Sequence, residues 1–153
     1  MTIVIPGMVT ISLLSLFYCS MLPETGRKAR MQAFERQYIA HRGFHDNRSE
    51  CPENSLPAFE RAIQMGYGIE LDVQLTKDGE MVVVHDEEID RVSDGSGFVK
   101  DYTLAELKIL NFNKTHPEYQ DVKIPTLREV YEALKPTGMT INVELKTGIF
   151  WYK

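Results

Sequence analysis

Three extended apolar stretches of this chain each carry side chains suited to chemistry. They are His41-Arg42-Gly43 after Ile39-Ala40, Glu70 and Asp72 within Ile69 to Val73, and Glu144 with Lys146 at the end of Thr140 to Leu145. In a strand, residues two apart share a side, which sets Glu70 and Asp72 about 7 Å apart along the chain and lets both reach one cation. Glu144, two residues from the ammonium of Lys146, repeats the geometry on a later segment. With His41 and His85, both following apolar stretches, the pattern predicts a metal-assisted phosphoryl-transfer site.

The segments between these stretches read as helices and turns. Gln37 to Ala40 reads as a short buried strand, followed by a polar loop through Asp46, Asn47, Arg48 and Pro52. Ser55 can cap a helix with Pro57 in its first turn, where a missing amide costs nothing. Leu56, Phe59, Ala62 and Ile63 recur at helical spacing until Gly66 stops the run. Strands over Ile69 to Leu75 and Met81 to Val84 are joined by a tight turn at Asp78-Gly79. Ser93 to Gly97 reads as a loop, and Thr103 with Glu106 as a capping box opening a short helix with Leu104, Leu107 and Leu110. A loop through His116-Pro117 leads to Thr126 and Glu129, a second capping box that opens a helix over Leu127 to Leu134. Pro136 and Gly138 end it, and Thr140 to Leu145 is the next strand.

Strands alternating with capped amphipathic helices imply βα units around a largely parallel sheet. Functional residues at the C-terminal ends of such strands are the arrangement of a TIM (β/α)₈ barrel, whose βα loops converge over the barrel mouth. A 153-residue chain falls well short of the ~250 residues of the closed fold. The expectation is therefore an α/β chain carrying the N-terminal portion of such a barrel, in residues 38–153.

Residues 2–22 bear no charged side chain, a length of roughly 20 that matches one helical crossing of a bilayer. No basic segment precedes the run and no small-residue cleavage site precedes Pro23, so a removed signal segment is the second reading and a lipidated Cys19 a third. Arg27, Lys28 and Arg30 follow it directly, which predicts an anchor over 1–22, a basic linker over 23–37 and a catalytic part on the cytoplasmic side of the cell membrane. A net charge of −5 argues against nucleic acid as a partner. An acidic protein acting on an anion needs local positive charge, which a bound divalent cation with Arg42 and Lys146 would supply. Two cysteines in unlike contexts make no disulfide framework and no thiolate zinc motif.

Several motifs in fixed order resemble the glycerophosphodiester phosphodiesterase family. Ile39-Ala40-His41-Arg42-Gly43 with Pro52-Glu53-Asn54-Ser55 is similar to its opening signature, with Ser55 where the family more often has threonine. Glu70-Leu71-Asp72-Val73, Asp78-Gly79, Val84-His85-Asp86, Gly95-Ser96-Gly97, Asp101-Tyr102-Thr103, Ile124-Pro125-Thr126-Leu127 and Glu144-Leu145-Lys146 continue it. The resemblance implies a TIM-barrel hydrolase that cleaves glycerophosphodiesters to glycerol 3-phosphate and an alcohol. It implies Glu70, Asp72 and Glu144 as ligands of one Mg²⁺ or Ca²⁺, His41 and His85 as the acid-base pair, and Arg42 and Lys146 as phosphate contacts.

The residue types agree with those roles. Hard divalent cations take oxygen ligands, and three carboxylates leave coordination positions for water and substrate. Histidine, which titrates near neutrality, suits proton removal from an attacking hydroxyl and proton delivery to a departing alcohol.

Other positions have two readings. Glu53 is a hydrogen-bond acceptor supporting the residues that touch metal or substrate, or a charge at a helix N-terminus. Asp86 orients His85 or caps the following turn. Glu144 and Lys146 also fit an exposed ion pair at a strand edge, and His45 and His116 read as solvated loop residues. Two alternatives accompany the hydrolase: a phosphodiesterase acting on intact phospholipids, and an inactive fragment of the hydrolase that cannot close a barrel.

Overall fold

The computed structural model describes residues 35–45 and 51–146. The expected anchor over 1–22, most of the basic linker, and the loop residues Asp46, Asn47 and Arg48 lie outside them. Among the described residues, no helix is long and apolar enough to cross a membrane. The unit from Gln37 onward is the one described below.

Its elements in chain order are β1 (Ile39–Ala40), α1 (Leu56–Gln64), β2 (Gly68–Leu75), β3 (Met81–Val83), a 3₁₀ turn at Val99–Asp101, α2 (Leu104–Ile109), α3 (Leu127–Leu134), a second 3₁₀ turn at Lys135–Thr137, and β4 (Ile141–Leu145). β2 is the centre of the sheet. It pairs in parallel with β1 on one edge and with β4 on the other. Because β4 lies along β2 from Ile69 to Val73, the antiparallel β3, which meets Val73 to Leu75, extends the edge that β1 begins.

The sheet is thus parallel in its three barrel-like strands, with one antiparallel excursion set by the Asp78-Gly79 turn. Gly79 has a φ of 83°, a conformation that costs glycine nothing. The hairpin sends the chain out beyond the end of β2 and back again, so that the Val84 amide bonds to the Asp72 carbonyl at 3.0 Å. That return delivers His85 to the level of the β2 carboxylates.

Alternation along β2 separates two environments. Ile69, Leu71 and Val73 share one apolar core with Phe59 and Ala62 of α1 and Val130 and Leu134 of α3. Each of the larger of these side chains contributes about 1.5–3 kcal/mol when fully buried. Glu70 and Asp72 are buried too, on the opposite face.

Local chemistry accounts for the helices. Ser55 caps α1 by accepting from the Ala58 amide, with Pro57 in the first turn. Thr103 and Glu106 close a capping box on α2, and Thr126 and Glu129 another on α3. Gly138 then takes the left-handed conformation, φ 66°, that turns the chain into β4.

Three expectations need correction. The first strand is two residues long, with Tyr38 75% and Ile39 41% exposed, because β1 pairs only with the first residues of β2. The segment from Val84 to Ile124 is more than loops around one short helix. It gathers Val84, Ile89, Val92, Val99, Leu107, Phe112, Val122 and Ile124 into a second core, to which β3 adds Val82. His116 is 1% exposed rather than solvated, since its Nδ1 lies 2.8 Å from Thr115 Oγ1 and its ring meets Tyr119 edge-on. His45 is likewise half-buried, and burial, the largest influence on it, lowers its pKa.

Candidate functional site

The parallel register of β2 and β4 builds the centre of the site. Asp72 and Glu144 are directly opposed across the two strands, and Glu70 lies two residues before Asp72 on the same face. One carboxylate oxygen from each of Glu70, Asp72 and Glu144 lies within 4.8 Å of the other two. A slip of one residue in the pairing would turn Glu144 to the helix-covered face.

The two neighbouring segments converge on these acids through unusual backbone. Arg42 has a φ of 56°, and its amide donates to Glu70 Oε2 at 2.9 Å. Gly43 follows at φ 82°, where an added Cβ would stand 2.8 Å from Ala58 Cβ; α1 therefore packs directly on this turn. Asn54, φ 51°, donates its backbone amide to the Arg42 carbonyl and its side-chain amide to Asp72 Oδ2, both at 2.9 Å. Non-glycine residues in this region are uncommon, and three tight contacts hold these two there.

Cationic side chains surround the acids. Lys146 Nζ lies 2.6 Å from Asp72 Oδ1 and 2.7 Å from Glu144 Oε1. The Arg42 guanidinium contacts Glu53 Oε1 at 3.1 Å and Asp72 Oδ2 at 3.5 Å. Burial acts to raise the Asp72 carboxyl pKa, but the hydrogen bonds from Lys146 and Asn54 outweigh it and hold the group below its ordinary range. Burial works against charge on Lys146 as well, and its bonds to Asp72 and Glu144 prevail, raising its pKa.

The histidines occupy different settings. His41 is exposed, its Nε2 4.0 Å from Glu70 Oε2. His85 is one-third exposed, and its Nδ1 is 2.6 Å from Asp86 Oδ1. Asp86 therefore orients His85, one of its two expected roles, and this bond leaves Nε2 as the ring nitrogen without a hydrogen bond among the described residues. The Gln74 amide fixes the same residue by donating to the His85 carbonyl at 3.1 Å.

Glu70, Asp72 and Glu144 are brought together, His41 and Arg42 stand beside Glu70 and Asp72, and His85 meets Asp86. Lys146 sits on the carboxylates themselves, because its place after β4 brings it alongside β2: its amide donates to the Val73 carbonyl. Glu53 is 7% exposed at its side chain and joins the site through Arg42. Two further residues carry the site without having been singled out. Asn54 stands in the Pro-Glu-Asn-Ser run, where an asparagine that tolerates left-handed backbone was the available signal. Arg91, which binds Glu53 and Asp86, had no local signal.

The donor set fits a hard divalent cation. Two oxygens on one Ca²⁺ lie at most about 5 Å apart and on one Mg²⁺ about 4 Å, so three carboxylates within 4.8 Å span the first and need a small contraction for the second. Three carboxylates facing two cationic side chains leave the centre negative, which favours a cation there.

A model described as the glycerophosphoryl diester phosphodiesterase family matches residues 41–152. A glycerophosphodiester phosphodiesterase of Caldanaerobacter subterraneus subsp. tengcongensis is 50% identical over 116 residues, covering 74% of this chain and 46% of that protein. A solved phosphodiesterase of Oleispira antarctica, in complex with the product sn-glycerol-3-phosphate, is 41% identical with a TM-score of 0.69 over 75% of this chain and 46% of that one. A solved glycerophosphodiester phosphodiesterase from Agrobacterium tumefaciens is 31% identical with a TM-score of 0.67, covering 71% and 46%. The chain spans just under half the length of these relatives.

Proposed function

The chain belongs to the glycerophosphoryl diester phosphodiesterase family, whose fold is a TIM barrel, and from that premise we propose that it carries the metal and acid-base residues of an enzyme hydrolysing glycerophosphodiesters to glycerol 3-phosphate and an alcohol. The observation that carries this reading is the convergence of Glu70, Asp72 and Glu144 oxygens within 4.8 Å of one another, at the strand ends that also bear His41 and Lys146.

Glu70, Asp72 and Glu144 would hold one Mg²⁺ or Ca²⁺. When bound, such an ion polarises a phosphoryl group and offsets charge developing on the attacking and leaving oxygens. Arg42 and Lys146 bind the phosphate, a role for which the planar Arg42 fork is suited to two oxygens at once and the Lys146 ammonium acts as a point charge. One histidine takes the proton of the glycerol 2-hydroxyl as that oxygen attacks phosphorus. The other gives a proton to the departing alcohol, and water reopens the cyclic phosphate with the roles reversed. Through the Asp86 contact, His85 keeps Nε2 for this exchange.

Incubation of the purified protein with glycerophosphocholine and Mg²⁺ or Ca²⁺ tests the proposal. Glycerol 3-phosphate should accumulate and a chelator should stop it; no release from any glycerophosphodiester in either metal rejects it. Residues 2–22 are proposed to anchor the protein with its catalytic part facing the cytoplasm, as Arg27, Lys28 and Arg30 favour. Recovery of the protein in an alkaline wash of membranes would overturn that part.

A further inference from the structure

Arg91 joins two halves of the site that, among the described residues, no backbone hydrogen bond connects directly. Its Nη1 and Nη2 donate to Glu53 Oε2 and Oε1 at 2.9 and 2.7 Å, across 38 residues of sequence. Its Nε donates to Asp86 Oδ2 at 2.6 Å. Each of those carboxylates also holds a residue of the site: Glu53 accepts from Arg42 at 3.1 Å, and Asp86 Oδ1 meets His85 Nδ1 at 2.6 Å. A single planar guanidinium thus connects the Arg42 side, after β1, to the His85 side, after β3.

The platform beneath it is buried and hydrogen-bonded. Ile89 and Val92, on either side of Arg91 in sequence, are buried in the second core, and Ser93 Oγ bonds to the Ile89 carbonyl at 2.8 Å. The second core therefore has a positional consequence for the site. An ammonium cannot replace the fork, because Arg91 uses three donors in one plane toward two carboxylates.

We propose that Arg91 is a positioning residue for the reaction: by clamping Asp86 and Glu53 together it holds the His85 ring with Nδ1 engaged and Nε2 available, and it fixes Arg42 against the phosphate. This rests on the proposed hydrolase reading for its effect on turnover, but not for its effect on the ring. Burial acts to raise the pKa of both carboxyls, and the Arg91 hydrogen bonds outweigh it, so both groups stay ionised and keep accepting.

The experiment compares the full 153-residue chain with R91M and R91K by two readouts. The first is steady-state turnover of glycerophosphocholine. The second is the proton resonance of His85 Nδ1–H in ¹⁵N-labelled protein without substrate, assigned by its loss in H85Q. The proposal expects kcat to fall about 10–100-fold in R91M with KM unchanged. It also expects the Nδ1–H resonance to be lost or strongly shifted while the rest of the spectrum stays that of folded protein. R91K keeps the charge without the fork, should show the same pattern in weaker form, and serves if R91M does not fold. A rise in KM alone would mean that Arg91 touches substrate directly. That result, or an Nδ1–H resonance unchanged from wild type, or a kcat loss that only tracks the folded fraction, overturns the proposal. If the wild-type chain hydrolyses no glycerophosphodiester, the hydrolase reading fails and the Nδ1–H comparison still decides the role of Arg91.

Discussion

The Lys146 ammonium lies 2.6 Å from Oδ1 of Asp72, a carboxylate with no solvent exposure. It makes a second contact of 2.7 Å with Glu144, so one side-chain cation is shared between two of the three acids that would hold a metal.

A divalent ion entering between Glu70, Asp72 and Glu144 must therefore share those oxygens with Lys146 or displace it. K146M removes the competitor, and the affinity for Ca²⁺ or Mg²⁺ measured by titration calorimetry should rise by ~10-fold, or ~1.4 kcal/mol. Turnover should fall in the same variant because a phosphate contact is gone. Metal affinity equal to or weaker than wild type would contradict the arrangement.

Asn54 supplies the only side-chain amide on Asp72 among the described residues, at 2.9 Å. N54A leaves a buried carboxylate oxygen short of a donor and keeps a side chain at φ 51°. Urea unfolding should show a loss of about 1–3 kcal/mol. An unchanged midpoint would mean that water or a neighbouring group replaces the amide without cost.

Glu53 governs part of the acid response. Burial acts to raise its carboxyl pKa, and the Arg91 and Arg42 contacts outweigh it, so its folded value lies below its unfolded one. As pH falls between the two values, the unfolded chain takes up a proton that the native chain refuses, and stability drops. The contribution is complete above the ordinary carboxylate range and is lost as pH falls through the depressed value. E53Q lacks this group. Wild type should exceed it by about 1.5–3 kcal/mol near neutrality, with the gap closing steadily on acidification. A gap that stays constant with pH would show that the ionised form of Glu53 contributes nothing.

Local rules account for the helices and turns. Ser55, Thr103 and Thr126 cap where serine and threonine ahead of apolar periodicity should. Gly79 and Gly138 turn where a positive φ is required. The acids of β2 were legible because two carboxylates in an apolar strand must share a face, whatever the strand pairs with. Arg91 was not legible, since its partners are 38 and 5 residues away and nothing in Ile89 to Val92 distinguishes it from a surface arginine. His116 was misread for a similar reason: a histidine beside proline in a polar loop looks solvated until a second core forms around it.

What the chain determined alone were properties with a range of a few residues: alternation along β2, helix caps, turn glycines and the order of its motifs. Tertiary structure decided the β2–β4 register that sets Glu144 beside Asp72. It also decided the return of β3 that brings His85 to the strand ends, and the clamp of Arg91 on Glu53 and Asp86. These depend on pairing and packing between distant segments, and such contacts form only when burial of the shared apolar faces outweighs the entropy of bringing those segments together.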